Sequence, residues 1–153
     1  MERARRTRTE EETALEDVCR AAGAKLTHQR IAILRELRRA EDHPTAEMLR
    51  QRLRRRLPRL SLDTVYRALE MLEGRGMIVR LEDTKKRGRF DGGPQPHHHL
   101  LCAECGAIVD FAWPGVDDEP LPRAAREWGR VLKRQLRLVG VCRKCLSARG
   151  KRS

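Results

Sequence analysis

The apolar residues in the first part of the chain recur at the three- and four-residue spacing of amphipathic helices. A first helix is predicted from Glu10 to Ala22, and Gly23 suits the left-handed conformation that ends a helix. The inward face of this helix consists of Leu15, Val18, Cys19 and Ala22. Because Cys19 falls on this face, we interpret it as a small core residue without chemistry.

A second and a third helix follow the same pattern. The second begins near Thr27 and turns a set of aliphatic side chains inward: Ile31, Ile33, Leu34 and Leu37. The His43-Pro44 step comes next, and Thr45 is the expected N-cap of the third helix. The apolar face of the third helix consists of Ala46, Leu49 and Leu53.

A fourth helix and a hairpin complete this part of the chain. Ser61 is the expected N-cap, and the inward face of the helix consists of Leu62, Val65, Leu69 and Leu72. On or near the opposite face are Asp63, Thr64, Tyr66, Arg67 and Glu70. Two short strands are predicted at Met77–Leu81 and Arg89–Asp91, and the loop between them carries Lys85, Lys86 and Arg87. Helices followed by a hairpin with a basic tip are typical of a winged helix-turn-helix domain, whose last helix enters the major groove while its loops touch phosphate.

The charge of the chain favours a polyanionic partner. Among 153 residues there are 34 lysines and arginines against 22 aspartates and glutamates, a formal net charge of +12. Solvated, arginine-rich helix faces would give the same excess and are the alternative. Tyr66 favours DNA, because the ring of this single tyrosine can meet a thymine methyl group while its hydroxyl reaches a phosphate.

Composition also narrows the compartment and the class of protein. No apolar run approaches the roughly 20 residues of a membrane helix, and the charged stretch from Met1 to Glu12 lacks the apolar core of a secretory signal. We therefore expect a cytoplasmic protein with reduced cysteines. An enzyme built on an open metal site is an alternative, but the sequence shows neither a nucleophile with a nearby base nor a glycine-rich phosphate loop, so no small-molecule substrate is expected.

Two Cys-x-x-Cys pairs dominate the second part of the chain, Cys102 with Cys105 and Cys142 with Cys145. Four thiolates complete a closed tetrahedral zinc site, which is structural because no position is left for water. Thiol–disulfide chemistry is the alternative for either pair. The separation between the pairs leaves room for a strand, a helix and a strand. With aromatic residues at only 3% of the chain, zinc would supply folding energy that a small core lacks.

Three consecutive histidines, His97, His98 and His99, precede the first cysteine pair. In a strand, the two-residue period puts His97 and His99 on one face and His98 on the other. Candidate ligands elsewhere in the chain are His43, Asp91 and Asp110. Mixed nitrogen and oxygen donors suit Fe(II), Mn(II) or Zn(II). A solvated histidine stretch beside unrelated acids is the alternative interpretation.

Taken in order, these motifs resemble the ferric uptake regulator family of bacterial metal-responsive repressors. The resemblance runs from about Asp17 to Cys145. Besides the two cysteine pairs, its motifs are Gly23-Ala-Lys-Leu-Thr27-His-Gln-Arg30, His43-Pro-Thr-Ala-Glu47, Ser61-Leu-Asp-Thr-Val-Tyr-Arg67, Arg89-Phe-Asp91 and His97-His-His-Leu-Leu-Cys102. The resemblance implies an α+β homodimer, in which each protomer has an N-terminal winged helix-turn-helix domain and a small C-terminal α/β dimerisation domain with a four-cysteine zinc site.

The resemblance also implies roles for individual residues. Lys25 would reach the minor groove, and Tyr66 and Arg67 would contact the major groove. The remaining candidate DNA contacts are Ser61, Thr64, Lys85, Lys86 and Arg87. Structural Zn²⁺ would be held by Cys102, Cys105, Cys142 and Cys145. A regulatory Fe²⁺ or Mn²⁺ ion, or Zn²⁺ in its place, would bridge the two domains through His43, Asp91, His97, His99 and Asp110.

The ligand set is most similar to the peroxide-sensing branch of the family, in which aspartates occupy the positions of Asp91 and Asp110. Iron-sensing members more often carry glutamate there. In peroxide sensors, bound Fe(II) reacts with hydrogen peroxide, a ligand histidine (here His43 or His97) is oxidised, and DNA is released. An iron- or zinc-availability sensor of the same family is the alternative, and a zinc-stabilised basic interaction module is a remoter one.

The chain also departs from the family pattern. Many members complete a further metal site with a histidine in the last strand, where this chain has Lys133-Arg134-Gln135. That further site is expected to be lost. Pro120 and Pro122 crowd the start of the helix that follows.

The expected organisation has five segments. They are a charged tail (1–12), a winged-helix DNA-binding domain (13–91), a hinge (92–96), a zinc-containing dimerisation domain (97–147) and a basic tail (148–153). The expected partners are double-stranded operator DNA and a second copy of the chain, with no membrane.

Overall fold

The structure, a computed structural model, describes residues 13–21, 23, 25, 27–83, 85–93 and 95–150. The chain divides into two compact units. Unit 1 comprises Met1–Glu82 with Lys86–Pro94, and unit 2 comprises Asp83–Lys85 with Gln95–Ser153. The main division, after residue 94, falls within the segment 92–96 that the sequence predicts as a hinge. The predicted tail at 1–12 and the last three residues of the tail at 148–153 lie outside the described residues.

Four helices form most of unit 1. Residues 13–21 are helical (α1), and the other three are α2 (His28–Arg39), α3 (Ala46–Leu53) and α4 (Leu62–Gly74). Thr27, Thr45 and Ser61 cap α2, α3 and α4, and each side-chain oxygen accepts a hydrogen bond from the backbone amide three residues later. These caps confirm the predicted starts of the three helices, because each satisfies a first-turn N–H group that has no partner inside the helix.

The hydrophobic core of unit 1 consists of the inward faces of these helices, one residue of the loop before α4 and two residues of the hairpin region. Its buried members are Leu15, Cys19, Ile33, Leu34, Leu37, Ala46, Leu49, Leu53, Leu60, Val65, Ala68, Leu69, Leu72, Ile78 and Phe90. Cys19 is a core residue, as predicted. The prediction for Val18 is wrong: this side chain is 41% exposed, because the buried stripe of α1 is narrow and runs through Leu15 and Cys19. Ala22 lies outside the described residues.

A two-stranded antiparallel hairpin follows α4. It pairs β1 (Val79–Glu82) with β2 (Gly88–Asp91), and Arg80 lies opposite Phe90. β1 begins two residues later than predicted, because the preceding Ile78 packs into the core instead. The Phe90 amide donates to the Pro44 carbonyl at 3.1 Å, which joins β2 to the loop between α2 and α3.

Unit 2 contains a three-stranded sheet with the order β4-β3-β5. The strands are β3 (His98–Cys102), β4 (Ile108–Phe111) and β5 (Arg137–Gly140); β4 is antiparallel to β3, and β5 is parallel to it. Three short helices accompany the sheet: α5 (Pro114–Asp117), α6 (Arg123–Trp128) and α7 (Arg143–Gly150). The single helix predicted between the cysteine pairs is therefore wrong. The segment with Pro120 and Pro122 separates two pieces, and α6 begins directly after Pro122 without a side-chain cap.

The described part of unit 2 buries little apolar surface. Its buried hydrophobic residues are Leu101, Cys102 and Ile108. By contrast, Val109, Leu100 and Leu138 are 55%, 43% and 41% exposed, and they lie opposite one another across all three strands. Residues that lie opposite one another share a face of the sheet, so the sheet presents a continuous apolar row. Within the described residues, no helix has both the length and the apolar character to cross a bilayer.

Candidate metal centres and DNA-binding face

The four cysteines predicted to hold zinc come together in unit 2. Their sulfur atoms all lie within 4.8 Å of one another, and two of the separations are 3.9 Å (Cys102 to Cys145) and 3.8 Å (Cys105 to Cys142). Two sulfurs at about 2.3 Å from one ion, at the tetrahedral angle, are separated by roughly 3.8 Å. The cluster therefore fits a structural zinc site.

Backbone amides prepare this cluster for a cation. The Cys102 sulfur accepts hydrogen bonds from the backbone of Cys105 and Cys142, the latter at 3.3 Å, and these bonds lower the pKa of the Cys102 thiol to about 6. The pKa of Cys145 is raised, chiefly by its hydrogen bond with the Cys142 thiol. Cys102 thus loses its proton more readily than Cys145, and thiolate is the form that binds metal.

The histidine stretch of unit 2 contains two of the five ligands of the predicted regulatory site. The Nε2 atoms of His97 and His99 are 3.2 Å apart, and they lie 3.7 Å and 3.3 Å from Asp110 Oδ1. Two nitrogens at about 2.1 Å from one ion are separated by roughly 3.0 to 3.4 Å at angles between octahedral and tetrahedral. The two imidazoles are therefore spaced as ligands of a single ion, and the Asp110 carboxylate lies beside them.

Other contacts orient these two rings. His97 Nδ1 is 2.7 Å from the Gln95 carbonyl, which can only accept, so Nδ1 carries a proton, and the neutral form of the ring has its lone pair on Nε2. This is the tautomer that a metal requires at Nε2. His99 Nδ1 is 3.3 Å from Gln135 Nε2, an amide nitrogen that donates to the ring. Rotating this amide by 180° would put its oxygen against Nδ1 and give His99 the same tautomer as His97.

His98 points away from this pair, as the two-residue period predicts. Its ring is fully buried and packs 5.4 Å from the ring of Phe111. Nδ1 accepts from the Leu136 amide at 3.1 Å, and Nε2 lies 3.2 Å from Asp117 Oδ1. Arg134 donates to the carbonyls of Val116 and Asp117. The structure thus gives His98 protein partners and a structural role.

His43 and Asp91 belong to unit 1, where their ligand atoms lie within 4.8 Å of each other. His43 is buried and has a left-handed backbone with φ of 49°. Arg89 holds this loop: Nε donates to the His43 carbonyl at 2.5 Å and Nη2 to the Asp42 carbonyl at 2.6 Å. Asp91 ends β2, and its Oδ1 accepts from the Gly93 amide at 2.8 Å. The sequence predicted both ligands but gave no sign of the Arg89 contacts.

The predicted DNA-binding residues of α4 lie at its exposed N-terminal end. Tyr66 and Arg67 are exposed, and Arg67 Nε is 3.0 Å from Asp63 Oδ2 in a solvent-exposed ion pair. Such a pair contributes little energy and exchanges readily with another anion. The hydroxyls of Ser61 and Thr64 are 2.7 Å apart, so these two residues also have a capping role.

The remaining predicted DNA contacts are cations on the surface. Lys25 is exposed, and its carbonyl accepts from Arg30 Nη1 at 2.8 Å. Lys85, Lys86 and Arg87 are exposed, and Lys86 has a left-handed backbone with φ of 57°. Sequence reasoning missed Arg80, an exposed residue of β1 that lines a groove together with Tyr66, Lys86 and Arg87. The two-residue period of a strand could have indicated it, because this period puts Arg80 on the exposed face of the hairpin.

Comparison with known families identifies the class of protein. Residues 21–138 match the Ferric uptake regulator family. The chain belongs to this family. It is 35% identical over 127 residues to the peroxide-responsive repressor PerR of Staphylococcus epidermidis. The aligned region covers 82% of this chain and 84% of that protein. The same identity relates it to PerR of Staphylococcus aureus, over 82% of this chain and 85% of that protein.

Solved structures of the family share the fold. The ferric uptake regulator of Pseudomonas aeruginosa with manganese aligns with a TM-score of 0.68 and 28% identity, over 84% of this chain and 97% of that one. A zinc-bound manganese uptake regulator aligns with a TM-score of 0.61 and 34% identity, over 84% and 98%. The chain therefore has the ferric uptake regulator fold, and members of this family are metal-responsive regulators rather than enzymes.

Proposed function

We propose that this chain is a homodimeric transcriptional repressor that binds operator DNA when a divalent ion is bound and is inactivated by hydrogen peroxide. One observation carries the proposal. In a chain 35% identical to peroxide-responsive repressors, His97 and His99 are spaced as ligands of a single ion, and Asp110 Oδ1 lies 3.3 Å from His99 Nε2.

The proposed regulatory ion takes ligands from both units: His43, Asp91, His97, His99 and Asp110. The chain orients these groups before the ion arrives, through the Gln95 carbonyl at His97 and through Arg89 at the His43 loop. Bound Fe(II) would activate hydrogen peroxide next to these imidazoles, so that one peroxide oxygen is transferred to a ring and the other leaves as water. Oxidation of His43 or His97 would then remove a ligand, because an oxidised ring is a poorer nitrogen donor. Since His43 and Asp91 belong to the DNA-binding unit, loss of the ion would release DNA.

A second copy of the chain is the proposed partner for the exposed sheet of unit 2. The apolar row of Val109, Leu100 and Leu138 is continuous across three strands, and surfaces of this kind mark protein–protein contacts. A two-fold dimer would present two copies of α4 about one DNA turn apart. In each copy Tyr66 and Arg67 would reach the major groove, Lys25 the minor groove, and the basic hairpin tip the phosphates.

The experiment is peroxide treatment of the Fe(II)-loaded protein, followed by mass spectrometry of its tryptic peptides. We expect one added oxygen atom on His43 or His97 and parallel loss of DNA retention. The peptide of residues 40–50 contains both His43 and Met48, and a methionine sulfur also takes up oxygen. Fragment spectra must therefore place the oxygen on the ring. The Mn(II)-loaded protein is the matched control and should remain unmodified.

A sensor of manganese, iron or zinc supply is the second candidate function. The 34% identity with a zinc-bound manganese uptake regulator favours it. The same experiment separates the two functions. If the Fe(II)-loaded protein shows no histidine oxidation while DNA binding depends on the metal concentration, the chain senses metal supply. If DNA binding is independent of metal, both functions are wrong.

A further inference from the structure

A single hydrogen bond joins the exposed sides of α3 and α4 in unit 1. The Tyr66 hydroxyl donates to Glu47 Oε1 at 2.7 Å. Glu47 lies in the first turn of α3, and the tyrosine remains 47% exposed. Because both side chains have access to water, burial does not force them to pair. The bond matters for whatever approaches Tyr66 from solvent.

The direction of this bond decides what the hydroxyl can still do. A phenol has one proton, and an oxygen that has donated it can only accept. The hydrogen bond from Tyr66 lowers the pKa of Glu47, so the acid stays a carboxylate and has no proton to return. The same bond, followed by burial and the charge of Glu47, raises the pKa of Tyr66. Tyr66 therefore presents an acceptor oxygen to its surroundings.

The charges around the pair make phosphate an unsuitable partner for this oxygen. Glu47 and Tyr66 line a groove with three cations, Arg80, Lys86 and Arg87. A phosphate in the groove has cationic donors to bind. At the Tyr66 hydroxyl, a phosphate would meet an acceptor oxygen with a carboxylate directly behind it. The negative charges of the phosphate and of the Glu47 carboxylate would repel each other. Phosphate therefore binds to the cations, and the Tyr66 oxygen remains available to accept a hydrogen bond from a different group.

We propose that Glu47 is a positioning residue that makes Tyr66 accept a hydrogen bond from a base amino group. This inference rests on the proposed function, in which α4 enters the major groove. There the amino groups of adenine and cytosine donate, whereas guanine O6 and thymine O4 accept. Tyr66 therefore favours adenine or cytosine over guanine or thymine at one position of each half-site. The expected preference is roughly two- to tenfold, the range of one net hydrogen bond.

This assignment changes the prediction made from the sequence, in which the Tyr66 hydroxyl reaches a phosphate. The ring can still contact a thymine methyl group, since the hydroxyl alone is committed to Glu47. Specificity at this position would then depend on a residue outside the recognition helix. Glu47 and Tyr66 are 19 positions apart in the chain.

The test is selection of bound duplexes from a randomised DNA library by the zinc- and Mn(II)-loaded full chain, followed by sequencing. Glu47→Gln keeps an oxygen that accepts the Tyr66 proton, so the base preference should persist. Glu47→Ala frees the hydroxyl to donate, so guanine and thymine should gain at least twofold at that one position. Tyr66→Phe should lose the preference there and keep it elsewhere. Glu16→Gln, on α1, removes the same charge outside the groove and is the matched control.

A second measurement examines the hydrogen bond without DNA. Tyr66 is the single tyrosine of the chain, so tyrosinate absorbance titrates this residue alone. The pKa of Tyr66 should fall in Glu47→Ala, fall less in Glu47→Gln and stay unchanged in Glu16→Gln. Circular dichroism at each pH verifies that the variants remain folded.

The outcomes separate this inference from the proposed function. A Glu47→Ala variant with a lowered Tyr66 pKa but an unchanged base preference overturns the inference, while the repressor function stands. An unchanged Tyr66 pKa also overturns it, because the hydrogen bond is then not formed in solution. If the wild-type protein enriches no sequence, the proposed function is wrong, and the inference fails with it for that distinct reason.

Discussion

Replacing Arg89 tests whether the loop that carries His43 is held in place for the metal. Arg89 donates to the carbonyls of Asp42 and His43 at 2.6 and 2.5 Å. The His43 backbone has φ of 49°, a conformation that a residue with a side chain rarely adopts. We expect Arg89→Ala to release this loop, so that His43 relaxes towards an ordinary backbone conformation and must be re-ordered by the ion.

The expected loss of stability and of metal affinity in Arg89→Ala can be worked out from these contacts. A hydrogen bond from a charged donor contributes about 1.5 to 3 kcal/mol when it is shielded from water. The bond to His43 is partly buried and the bond to Asp42 is exposed, so Arg89→Ala should cost unit 1 about 2 to 3 kcal/mol in free energy of unfolding. A left-handed residue costs about 1 to 2 kcal/mol. When the ion must supply that energy, its affinity should fall roughly five- to thirtyfold.

The assay has two independent readouts on the zinc-loaded protein. Urea unfolding followed by far-UV circular dichroism, without regulatory metal, measures the free energy of unfolding of the helices. Titration with Mn(II), with free ion measured by electron paramagnetic resonance, gives the affinity of the regulatory site. Arg89→Lys, which can replace one hydrogen bond, should lie between wild type and Arg89→Ala. Arg59→Ala removes an exposed arginine elsewhere in unit 1 and should change neither value.

Two outcomes of these measurements would contradict a positioning role of Arg89. If Arg89→Ala lowers the stability as calculated but binds Mn(II) as tightly as wild type, the Arg89 contacts stabilise the loop without positioning His43. If the stability is also unchanged, the two hydrogen bonds do not persist in solution. Either result would remove Arg89 from the account of the regulatory site.

Three further predictions address the metals and the dimer. His97→Ala should abolish metal-dependent DNA retention and leave one zinc per protomer, measured by gel shift and metal analysis; a zinc-free or unfolded variant would contradict the assignment of two separate sites. Removal of zinc with a chelator should change the fluorescence of Trp113 and Trp128, which both belong to unit 2. This change should come before the far-UV circular dichroism signal of the helices falls. Simultaneous loss of the two signals would argue against a zinc-dependent unit 2. Leu100→Asp should convert the dimer to a monomer in analytical ultracentrifugation, because it puts a charge in the centre of the apolar row; an unchanged sedimentation coefficient would assign the dimer contact to another surface.

The parts of the fold that the sequence predicted correctly depend on neighbours within one turn or one strand pair. Thr27, Thr45 and Ser61 cap helices because a short hydroxyl side chain can reach an amide three residues away. The alternation of His97, His98 and His99 follows from the strand period. The four cysteines come together because a Cys-x-x-Cys turn brings two sulfurs close, and a strand pairing adds the second turn.

The parts that it missed depend on packing between distant segments. Arg89 and His43 are 46 positions apart, and Tyr66 and Glu47 are 19 apart. Neither pair follows a periodic pattern. The Arg89–His43 contact requires the packing of the hairpin against the loop between α2 and α3, and the Tyr66–Glu47 contact requires the packing of α3 against α4. The errors at Val18 and at the start of β1 have the same origin. Periodicity predicts which side of an element is apolar, whereas tertiary contacts decide how wide the buried stripe is and where a strand begins.

The four-cysteine site and the proposed histidine and aspartate site differ in how tightly their ligands would bind an ion. Unit 1 has its own core, whereas the described part of unit 2 buries only Leu101, Cys102 and Ile108 among its hydrophobic residues. A closed four-sulfur zinc site would compensate for this deficit, so we expect unit 2 to lose its fold when the ion is removed. A sensor needs an ion that leaves without unfolding the protein. Imidazole and carboxylate ligands bind more weakly, and the Asp110 side chain is 43% exposed. In the proposed function, sulfur would therefore hold the ion that must stay, and nitrogen and oxygen would hold the ion that must leave.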